Sequence, residues 1–509
     1  MNSGKLCVSI FAEKADELVA ALRRAEKVAD VIELRFDGLD YENIRIAFEQ
    51  LSSEKQILLT MRPKSQGGRS ERNLVDRVGF WMEYALHKMI DHSSIWIDHE
   101  HDLISQKDFM FWVDQCFVIR SRHYLEGETG TDLDKAYEAV VSNAEVGKIA
   151  VTTHDAADAI GVWQLLVRAN EDGLRTIPIA MGEAGKWTRI LGLAHGAFMT
   201  YAALETGTET APGQLTADDL IDVFRVRELD KETAVYGVIA GNTSYSASPW
   251  MHNAAFKAAG LNAVFVPFQV TDLDRFMKKI VLSDTREIEL NLHGFSVTNP
   301  HKQAVIEYLD EVDETAARIG AVNTVKVQDG KLYGHNTDAD AFIATLKAEY
   351  GDLEDARVAV FGAGGAARAC IAALLNERAS VGLFARNDEK GAALAEEFEI
   401  AFEGKAGDRQ IGDDFDIVVN ATPLGTVGTN IDFTPLTGPQ LNGLGLVYDL
   451  VYNPAETLLM REAKAVDVPA IGGVGMLIAQ GAKQFGLWTG REAPLNEMSA
   501  ALNDRLKSQ

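Results

Sequence analysis

The sequence has few cysteines, a shortage of basic residues and no long apolar run among its 509 residues. Its three cysteines, Cys7, Cys116 and Cys370, are far apart and odd in number. They suggest neither a disulfide framework nor a metal site, and they fit a protein of the reducing cytoplasm. The stretch from Pro469 to Ala482 is Gly-rich and too short to cross a bilayer. We therefore expect no membrane segment and, because Glu13 ends the short apolar run at the N-terminus, no cleavable signal.

Basic residues are outnumbered by acidic ones, 49 against 75, which leaves a formal net charge of −26. Nucleic acid and anionic membranes would have to be approached against net repulsion, so we expect neither as a partner. The apolar share of 47% and the charged share of 24% are those of an ordinary soluble globular protein. A chain of this length predicts two or more hydrophobic cores. The composition does not indicate an oligomeric state.

The first part of the chain contains eight short apolar or β-branched runs, each followed by a segment with helical character. This alternation favours an α/β fold in which a (β/α)₈ barrel comes first. An open doubly wound sheet is the alternative, but no Gly-rich phosphate fingerprint follows any of these runs. The runs are Leu6–Ile10, Val31–Arg35, Ile57–Met61, Ile95–Asp98, Phe117–Arg120, Lys148–Thr152, Thr176–Ala180 and Phe198–Tyr201.

Polar and ionisable residues cluster at, or just after, the ends of these runs. In a barrel such positions lie on one rim, which is where active sites are found. The residues concerned are Glu33, Arg35, Arg62, Glu100 and His123.

Lys148 stands in a run of otherwise small and β-branched residues, VGKIAVTT. An enclosed lysine loses solvation, so its neutral amine becomes accessible and can form an imine with a ketone. The alternative is a lysine at the start of a strand with its ammonium group in solvent. His123 follows the preceding run and is either a general base or a hydrogen-bonded bystander.

Seven segments of the first half, taken in order, resemble the type I 3-dehydroquinate dehydratases. The resemblance spans essentially the whole of that half. The segments are ELRFDG from Glu33, LLTMRPKSQGG from Leu58, IDHE from Ile97, SRHY around His123, GKIAVTT around Lys148, MGEAGKWTRILG from Met181 and TAPGQL from Thr210.

This resemblance implies that Lys148 forms an imine with the C3 ketone of 3-dehydroquinate and that His123 acts as base and then as acid. It also implies a set of residues that hold the substrate carboxylate and hydroxyl groups. Gln66 and Thr210 depart from the family, where Glu and Ser are common at these positions. The implied substrate-binding residues are Glu33, Arg35, Arg62, Arg189, Thr210 and Gln214.

In the second half, the strand-like run RVAVF leads into GAGGAA and a helix of small residues, and the strand VGLFA follows. This is a βαβ unit of dinucleotide-binding type, whose glycines let the backbone approach a pyrophosphate. A tight turn without a nucleotide is the alternative. Arg386 stands at the end of the second strand, where an Arg favours the 2′-phosphate of NADP, although Asp388 nearby would repel it. The loop consists of Gly362, Ala363, Gly364, Gly365 and Ala366.

A second series of motifs resembles shikimate dehydrogenase and covers nearly everything from Val235 to the end. Taken alone, the hydroxyls of the first motif would more simply cap a helix. The motifs are SYSASPWMHN from Ser244, FSVTNPHK from Phe295, GAVNTV from Gly320, GHNTDADAF from Gly334, NATPLG from Asn420, DLVYNP from Asp449 and GVGMLIAQG from Gly473.

This second resemblance implies that Lys302 and Asp338 form the catalytic pair and that NADP(H) is the cofactor. An ammonium oriented by a carboxylate can protonate the oxygen of a ketone under reduction. In isolation, the two residues would more simply be a surface lysine and a capping aspartate. The implied substrate-binding residues are Ser246, Ser248, Thr298, Asn323, Tyr452 and Gln480, and the further cofactor residues are Asn420, Thr422 and Gly473.

Two departures from this family concern the helix start after NTD and the cofactor loop. Ala339 and Ala341 stand near that start, where Gly is common, and we expect them to affect how the helix begins. The sequence ARND around Arg386 replaces the usual Asn-Arg-Thr, which weakens the assignment of phosphate contacts.

Together the two resemblances imply a bifunctional enzyme of aromatic amino acid biosynthesis, because the product implied for the first site is the substrate implied for the second. A dehydrogenase of broader quinate and shikimate specificity, or a non-catalytic sensor built from the same domains, are the alternatives. The predicted domains are a (β/α)₈ barrel over 1–225, a linker over 226–234, a substrate-binding domain over 235–345, a Rossmann domain over 346–475 and C-terminal helices over 476–509 that return to the substrate domain.

Overall fold

The structure is a computed structural model that describes residues 2–82, 95–105, 117–125, 133–141, 144–428 and 430–507. It divides into two compact units. The first comprises Met1–Ala234 and Asn262–Asn291, and the second comprises Val235–Leu261 and Leu292–Gln509.

The first unit is built on a sheet of eight parallel strands, as the sequence predicts. Successive strands β1 to β7 pair in chain order, and β8 pairs with β1. Between β7 and β8 the Phe198 N–H donates to the Thr176 carbonyl at 2.9 Å. The strands therefore form a barrel, and the open-sheet alternative is wrong. The strands are β1 (Lys5–Phe11), β2 (Val31–Arg35), β3 (Gln56–Thr60), β4 (Ile95–Glu100), β5 (Phe117–Tyr124), β6 (Val146–Thr152), β7 (Thr176–Met181) and β8 (Met199–Ala203).

Helices follow most of these strands within the described residues and cover the barrel with their apolar faces. The first helix, for example, buries Leu18 and Leu22 and keeps Arg23 and Arg24 in its last turn, where cations interact favourably with the helix dipole. Side chains of Asp40 and of the Asn73 N-cap start two others. The helices are α1 (Ala15–Ala25), α2 (Tyr41–Gln50), α3 (Leu74–Phe80), α4 (Leu133–Val141), α5 (Ile160–Glu171) and α6 (Lys186–Leu191).

The interior of the barrel is layered because side chains on a strand alternate between its two faces. One layer is apolar and holds Cys7, Val31, Leu58, Trp96, Ile119, Val146 and Met199. The residue two positions later on each of these seven strands points to the same side, one step nearer the carboxyl edge. That second layer is Ser9, Glu33, Thr60, Asp98, Ser121, Lys148 and Tyr201. The polar layer thus lies directly on an apolar floor.

The second unit begins at Val235, the second residue of β9 (Ala234–Ala240), which leads through a loop into helix α7 (Ser248–Ala258). Pro249 stands in the first turn of α7, where the missing N–H of proline costs no hydrogen bond.

Residues 262–291 group with the first unit, although they lie within the substrate-binding domain predicted over 235–345. They contain β10 (Ala263–Gln269) and α8 (Leu273–Phe276). The Asp155 carboxylate accepts hydrogen bonds from the backbone N–H groups of Thr271 at 2.6 Å and Asp272 at 3.0 Å. The predicted domain boundaries themselves stay a prediction.

Four further strands and one helix follow β9 in the second unit before its Rossmann part. β9, β11, β13, β14 and β12 lie in that order, with β9 and β11 parallel and β11, β13 and β14 antiparallel. The elements are β11 (Leu292–Val297), β12 (Glu311–Val312), α9 (Glu314–Ile319), β13 (Thr324–Gln328) and β14 (Lys331–His335).

The rest of the second unit contains a parallel sheet in the order β17–β16–β15–β18–β19–β20. This is the strand order of dinucleotide-binding Rossmann domains, whose crevice lies beyond the carboxyl ends of the central strands. The strands are β15 (Arg357–Phe361), β16 (Ser380–Phe384), β17 (Ala401–Gly404), β18 (Ile417–Asn420), β19 (Leu446–Asp449) and β20 (Ala470–Ile471).

Helices surround this sheet, and the last two also contact the β9–β14 sheet and α7. The Trp488 indole donates to the Val325 carbonyl at 3.0 Å, and the Arg505 guanidinium lies 4.0 Å from the ring centre of Trp250. The helices are α10 (Asp338–Tyr350), α11 (Gly365–Asn376), α12 (Asp388–Phe398), α13 (Gly438–Leu441), α14 (Leu458–Lys464), α15 (Val474–Thr489) and α16 (Leu495–Lys507).

Candidate active sites

Lys148 lies inside β6 and is 2% exposed, which excludes a lysine at a strand start with its ammonium in solvent. Its Nζ is 3.4 Å from Asp98 Oδ2, 4.0 Å from Glu33 Oε1 and 3.9 Å from the ring centre of Tyr201. Burial and the nearby Arg62 lower the pKa of Lys148, although the two carboxylates oppose them. The neutral, nucleophilic amine is therefore easier to form here than on a surface lysine.

His123 lies within β5 rather than after it, because β5 continues to Tyr124. Ser121 pairs in register with Lys148 and His123 pairs with Ala150, so His123 sits one same-face step nearer the carboxyl edge than Lys148. Burial and the surrounding cations hold the pKa of His123 well below its ordinary value. The imidazole is therefore neutral near pH 7 and can accept a proton. Its Nδ1 has no hydrogen-bond partner among the described residues.

Two of the arginines predicted for the first site are paired with buried carboxylates. Arg35 donates from Nε and Nη2 to the two oxygens of Asp37 at 2.7 and 2.8 Å. Arg62 donates to Asp98 and also lies 3.7 Å from Glu33. Burial alone would raise the pKa of Glu33, but the nearby cations lower it to about 2. Glu33 is thus an anion that can accept hydrogen bonds at every physiological pH.

Arg189 differs from the other two arginines because no described carboxylate pairs with it. Its Nη2 reaches only the Pro212 carbonyl at 3.4 Å, and its buried Nε has no partner among the described residues. Burial lowers the pKa of Arg189 to about 10, so it remains charged near pH 7. A buried, uncompensated guanidinium is suited to bind the carboxylate of a ligand.

Thr210 and Gln214 lie on the loop after β8 and are tied to the barrel wall. The Thr210 hydroxyl donates to Ser9 Oγ at 2.8 Å, and Ser9 in turn donates to Glu33. Gln214 Oε1 accepts from the Thr210 N–H at 2.8 Å. Gln66, the departure from the family pattern, is buried with its Oε1 unpartnered within the described part of the chain.

The structure thus brings the eight residues predicted for the first site to one end of the barrel and adds some that sequence reasoning missed. The missed residues share one signal: each stands two positions after an interior apolar residue on its strand. They are Ser9, Thr60, Asp98, Ser121 and Tyr201.

In the second unit, Lys302 and Asp338 form a direct pair with Nζ 2.5 Å from Oδ2. The other carboxylate oxygen of Asp338 accepts from Asn323 Nδ2 at 2.8 Å. Asn323 Nδ2 also lies 3.5 Å from Gln480 Oε1, which brings helix α15 to the same place. Asp338 is therefore held on both oxygens and can orient the lysine ammonium.

The remaining predicted substrate ligands lie at the ends of other elements of the second unit. Thr298 follows β11, and Ser248 opens α7 with its N–H 3.4 Å from Ser246 Oγ. Burial raises the pKa of the Tyr452 hydroxyl to about 12, and hydrogen bonds from Ser246 and the Ala247 backbone oppose that rise.

Helix α10 begins at Asp338 itself, and the two alanines that depart from the family pattern lie on its buried face. Ala339 and Ala341 are 5% and 1% exposed and belong to the Rossmann core. Small residues at these positions allow the helix to approach its neighbours closely.

The Gly-rich loop fits a dinucleotide phosphate. Gly362 has a φ of +120°, and a Cβ there would meet the Ala421 carbonyl oxygen at 2.9 Å. Gly364 is the N-cap of α11, has no side-chain cap, and has open space where its Cβ would be. The first turn of a 12-residue helix thus has no side-chain cap and open space beside its N-cap, as in phosphate sites at helix N-termini. Ala363, Gly365 and Ala366 complete the turn.

Four other predicted cofactor residues lie at the carboxyl edge of the Rossmann sheet. Arg386 is exposed just after β16, and Gly473 is the N-cap of α15. Asn420, at the end of β18, accepts from the Thr422 hydroxyl at 2.6 Å and donates to Asp449 at 2.9 Å. These positions are consistent with a nucleotide crossing the sheet edge.

The described residues offer neither a cluster of metal-binding side chains nor a helix that could cross a membrane. None of their His, Cys, Asp and Glu side chains gathers in a group of three or more that could hold a metal ion. Over the same ranges, no helix combines the length and the apolar character that a membrane crossing needs.

Comparison with known proteins relates both units to described families. Residues 6–231 match the family model for type I 3-dehydroquinase. Residues 238–325 match the shikimate dehydrogenase substrate binding domain, and 473–502 match the shikimate 5'-dehydrogenase C-terminal domain.

Single-function proteins are similar to the second half of the chain. The shikimate dehydrogenase (NADP(+)) of Methanocaldococcus jannaschii is 41% identical over 289 residues, which are 55% of this chain and 99% of that protein. A crystal structure of shikimate dehydrogenase in complex with NADP+ is 40% identical, with a TM-score of 0.49, and the match covers 55% of this chain and 97% of that one.

One relative matches across both units. The chloroplastic bifunctional 3-dehydroquinate dehydratase/shikimate dehydrogenase of Arabidopsis thaliana is 32% identical over 519 residues, which are 97% of this chain and 83% of that protein. The chain therefore belongs to the family of bifunctional 3-dehydroquinate dehydratase/shikimate dehydrogenases.

Proposed function

We propose that the barrel unit dehydrates 3-dehydroquinate to 3-dehydroshikimate through an imine on Lys148, and that the second unit reduces this product to shikimate with NADPH. The first step is supported mainly by the buried Lys148 amine, which lies 3.4 Å from the Asp98 carboxylate. The neutral His123 lies one same-face step nearer the carboxyl edge of the barrel. The Lys302–Asp338 pair beside the Gly-rich loop carries the second.

In the dehydration, the neutral Lys148 amine adds to the C3 carbonyl, and loss of water gives a protonated imine. The neutral His123 imidazole then removes a C2 proton, and the C–H electron pair moves into the imine to give an enamine. The imidazolium returns that proton to the departing C1 hydroxyl, which leaves as water. Hydrolysis of the imine by another water releases 3-dehydroshikimate and restores the amine.

Charge complementarity supports this assignment. Arg189 is a buried cation that no described carboxylate balances, and the proposed substrate is an anion. Binding of the substrate carboxylate would offset the cations that lower the pKa of His123. That pKa then rises towards the range in which an imidazole is an effective base.

In the reduction, the Gly-rich loop and Arg386 would hold NADPH, which when bound would supply the hydride for the C3 carbonyl carbon of 3-dehydroshikimate. The Lys302 ammonium donates a proton to the oxygen as it becomes an alkoxide. Asp338 holds that ammonium in place, and Asn323 fixes Asp338 from its other oxygen. The proton donor is thus oriented before the substrate arrives, so reorientation costs little at the moment of transfer.

We propose the residue roles and boundaries predicted above, including NADP rather than NAD recognition by Arg386. The boundary between the 1–225 barrel and the 226–234 linker is supported by a dehydratase match that ends within the proposed linker, at residue 231. The start of the 235–345 substrate-binding domain is supported by a match that begins at residue 238. The small-molecule substrates are the proposed partners, without nucleic acid or membrane, in line with the net charge of −26. A cytoplasmic location is proposed on the dispersed cysteines, of which Cys7 and Cys370 are buried free thiols.

The deciding experiment supplies the purified chain with 3-dehydroquinate and NADPH and follows both NADPH oxidation and shikimate. Borohydride added with 3-dehydroquinate should leave a covalent adduct, and peptide mapping should place it on Lys148. An adduct on another lysine, or none, would contradict the dehydratase assignment. Quinate offered with NADP+ in place of shikimate separates the narrow from the broad dehydrogenase specificity.

The Lys302→Ala variant tests the second half independently. We expect the reduction rate to fall about 100- to 10,000-fold, the usual worth of a positioned acid, with the dehydration rate unchanged. Loss of both activities would indicate one coupled site or misfolding instead.

A further inference from the structure

We infer that Asp98 is the positioning residue of Lys148: it holds the amine towards the substrate and acts as the counter-ion of the protonated imine. This inference rests on the proposed dehydratase function and deepens it. No motif of the sequence singles out Asp98 for this role, because IDHE offers two carboxylates at alternate positions of one strand.

Asp98 is completely buried and is held from three directions. Its Oδ1 accepts from the Ser121 hydroxyl, and its Oδ2 accepts from both Arg62 and Lys148. Ser121 is the register partner of Lys148 on the neighbouring strand. The carboxylate therefore cannot turn away from the amine without breaking other hydrogen bonds.

The distances favour Asp98 over Glu33 as this partner. Lys148 Nζ is within hydrogen-bond distance of Asp98, at 3.4 Å, but is 4.0 Å from Glu33. On another side of the amine, the Tyr201 ring centre lies 3.9 Å away. The ring and the carboxylate together restrict the positions that the amine can occupy.

The charges explain how one carboxylate serves both the free amine and the imine. Arg62 already compensates Asp98, so Asp98 does not hold Lys148 as a full ion pair and the neutral amine remains reachable. Once the imine forms, the nitrogen is a buried cation. A buried cation without a counter-charge is costly, and Asp98 is the nearest described anion.

The glutamate two residues further along β4 is less suited to this role. Glu100 is buried, its only charged contact that is described at close range is with Arg77 at 3.5 Å, and burial with Asp98 nearby raises its pKa well above the ordinary value. A carboxyl whose neutral form is favoured in this way is a poorer counter-ion than Asp98.

The test is the pH dependence of borohydride trapping with 3-dehydroquinate in the Asp98→Asn variant. Removal of the carboxylate removes a group that favours the ammonium form of Lys148. The pH of half-maximal trapping should therefore move down by about one unit or more. The kcat of dehydration should fall about 100-fold, because the imine loses its counter-charge.

The Ser121→Ala variant should move the trapping midpoint in the opposite direction. It keeps the carboxylate but removes the hydroxyl that disperses its charge, so Asp98 favours the ammonium form of Lys148 more strongly. Opposite shifts from Asp98→Asn and Ser121→Ala are not expected from a general loss of packing. This second variant also keeps the inference open to refutation if Asp98→Asn does not fold.

Asp155→Asn is the matched control, since Asp155 is another buried aspartate of the first unit. Its carboxylate accepts from the backbone at Ala157, Thr271 and Asp272, so its loss should lower the thermal stability and leave the trapping midpoint in place.

Suppose the midpoint is unchanged in both Asp98→Asn and Ser121→Ala while the unmodified protein is trapped normally. That result would overturn the role of Asp98 and leave the proposed function intact. Absence of any adduct in the unmodified protein would overturn the proposed function as well.

Discussion

Gly365 lies directly against the side chain of Lys302: a Cβ at Gly365 would come within 2.9 Å of both Cβ and Cδ of the lysine. Gly365 is the first residue of the helix that follows the Gly-rich loop, and Lys302 contacts Asp338 at 2.5 Å. The cofactor cradle and the proposed proton donor therefore share one contact surface. A hydride donor and a proton donor have to meet at the same carbonyl group. This contact places Lys302 next to the helix start that follows the Gly-rich loop.

Gly365→Ala should impair reduction although alanine is the better helix former by about 1 kcal/mol. The added methyl group has to push the aliphatic part of Lys302 aside. Misplacing a catalytic group by about 1 Å can lower the rate up to about 100-fold. We expect a lower kcat for 3-dehydroshikimate reduction with dehydration unchanged. Gly486→Ala is the control, because its Cβ would have ordinary room in helix α15. Equal kinetics of both variants would show that Lys302 adapts freely.

Arg386→Ala should raise the KM for NADPH about tenfold and leave the KM for NADH almost unchanged. Arg386 is exposed just beyond β16, where the adenosine ribose of a Rossmann cofactor binds, and a guanidinium there matches a 2′-phosphate. Arg378→Ala removes another exposed arginine of this part of the chain, one paired with Glu354 at 2.9 Å, and should change neither value. Equal effects on both cofactors would contradict a phosphate contact.

Arg189→Met should weaken substrate binding and stabilise the free protein at the same time. Its buried guanidinium lacks a described carboxylate partner, so its charge destabilises the fold. Replacing it with an apolar group should therefore raise the free energy of unfolding by about 1–2 kcal/mol. The melting temperature without substrate should rise, and the KM for 3-dehydroquinate should rise about 100-fold.

Arg35→Met provides the comparison for this experiment. It would take two hydrogen bonds from Asp37 and leave a buried carboxylate uncompensated, so it should destabilise the fold by about 3 kcal/mol or more. A lower melting temperature in Arg189→Met would mean that its charge is balanced in the free protein.

His252 should make the second unit sensitive to acid. It is fully buried beside Gln484, and burial lowers its pKa to about 3. Because the unfolded chain binds the proton more tightly, the stability present above about pH 6.5 is lost as the pH falls towards 3. By about pH 4.5 the loss is roughly 3 kcal/mol.

Urea unfolding at several pH values measures this effect. Loss of the NADP-dependent activity is the signal that reports unfolding of the second unit. His252→Gln keeps a polar partner for Gln484 and should flatten the dependence between pH 6.5 and 4.5. An unchanged slope in the variant would assign the acid sensitivity to other groups.

Local pattern was enough to predict the barrel, its eight strands and the dinucleotide-binding unit. Val31–Arg35 begins and ends as predicted, because the whole strand is apolar apart from its site residues. Strands β4 and β5 run further than predicted, to Glu100 and Tyr124, because the polar residues near their ends resemble a loop in sequence but are mostly buried in the fold.

The sequence alone determined which side chains could do the chemistry, because reactive residue types and their order along the chain are local properties. The tertiary structure decided which of them meet. Lys148 and Asp98 are 50 residues apart, and only the packing of strands β4, β5 and β6 in the fold places Asp98 rather than Glu100 beside the amine. Segment 262–291 likewise groups with the barrel unit, and the Asp155 carboxylate accepts a hydrogen bond from its backbone. Neither the composition nor the hydrophobic periodicity of the segment predicts this contact. Contacts between distant strands depend on register and burial, which exist only once the chain has folded.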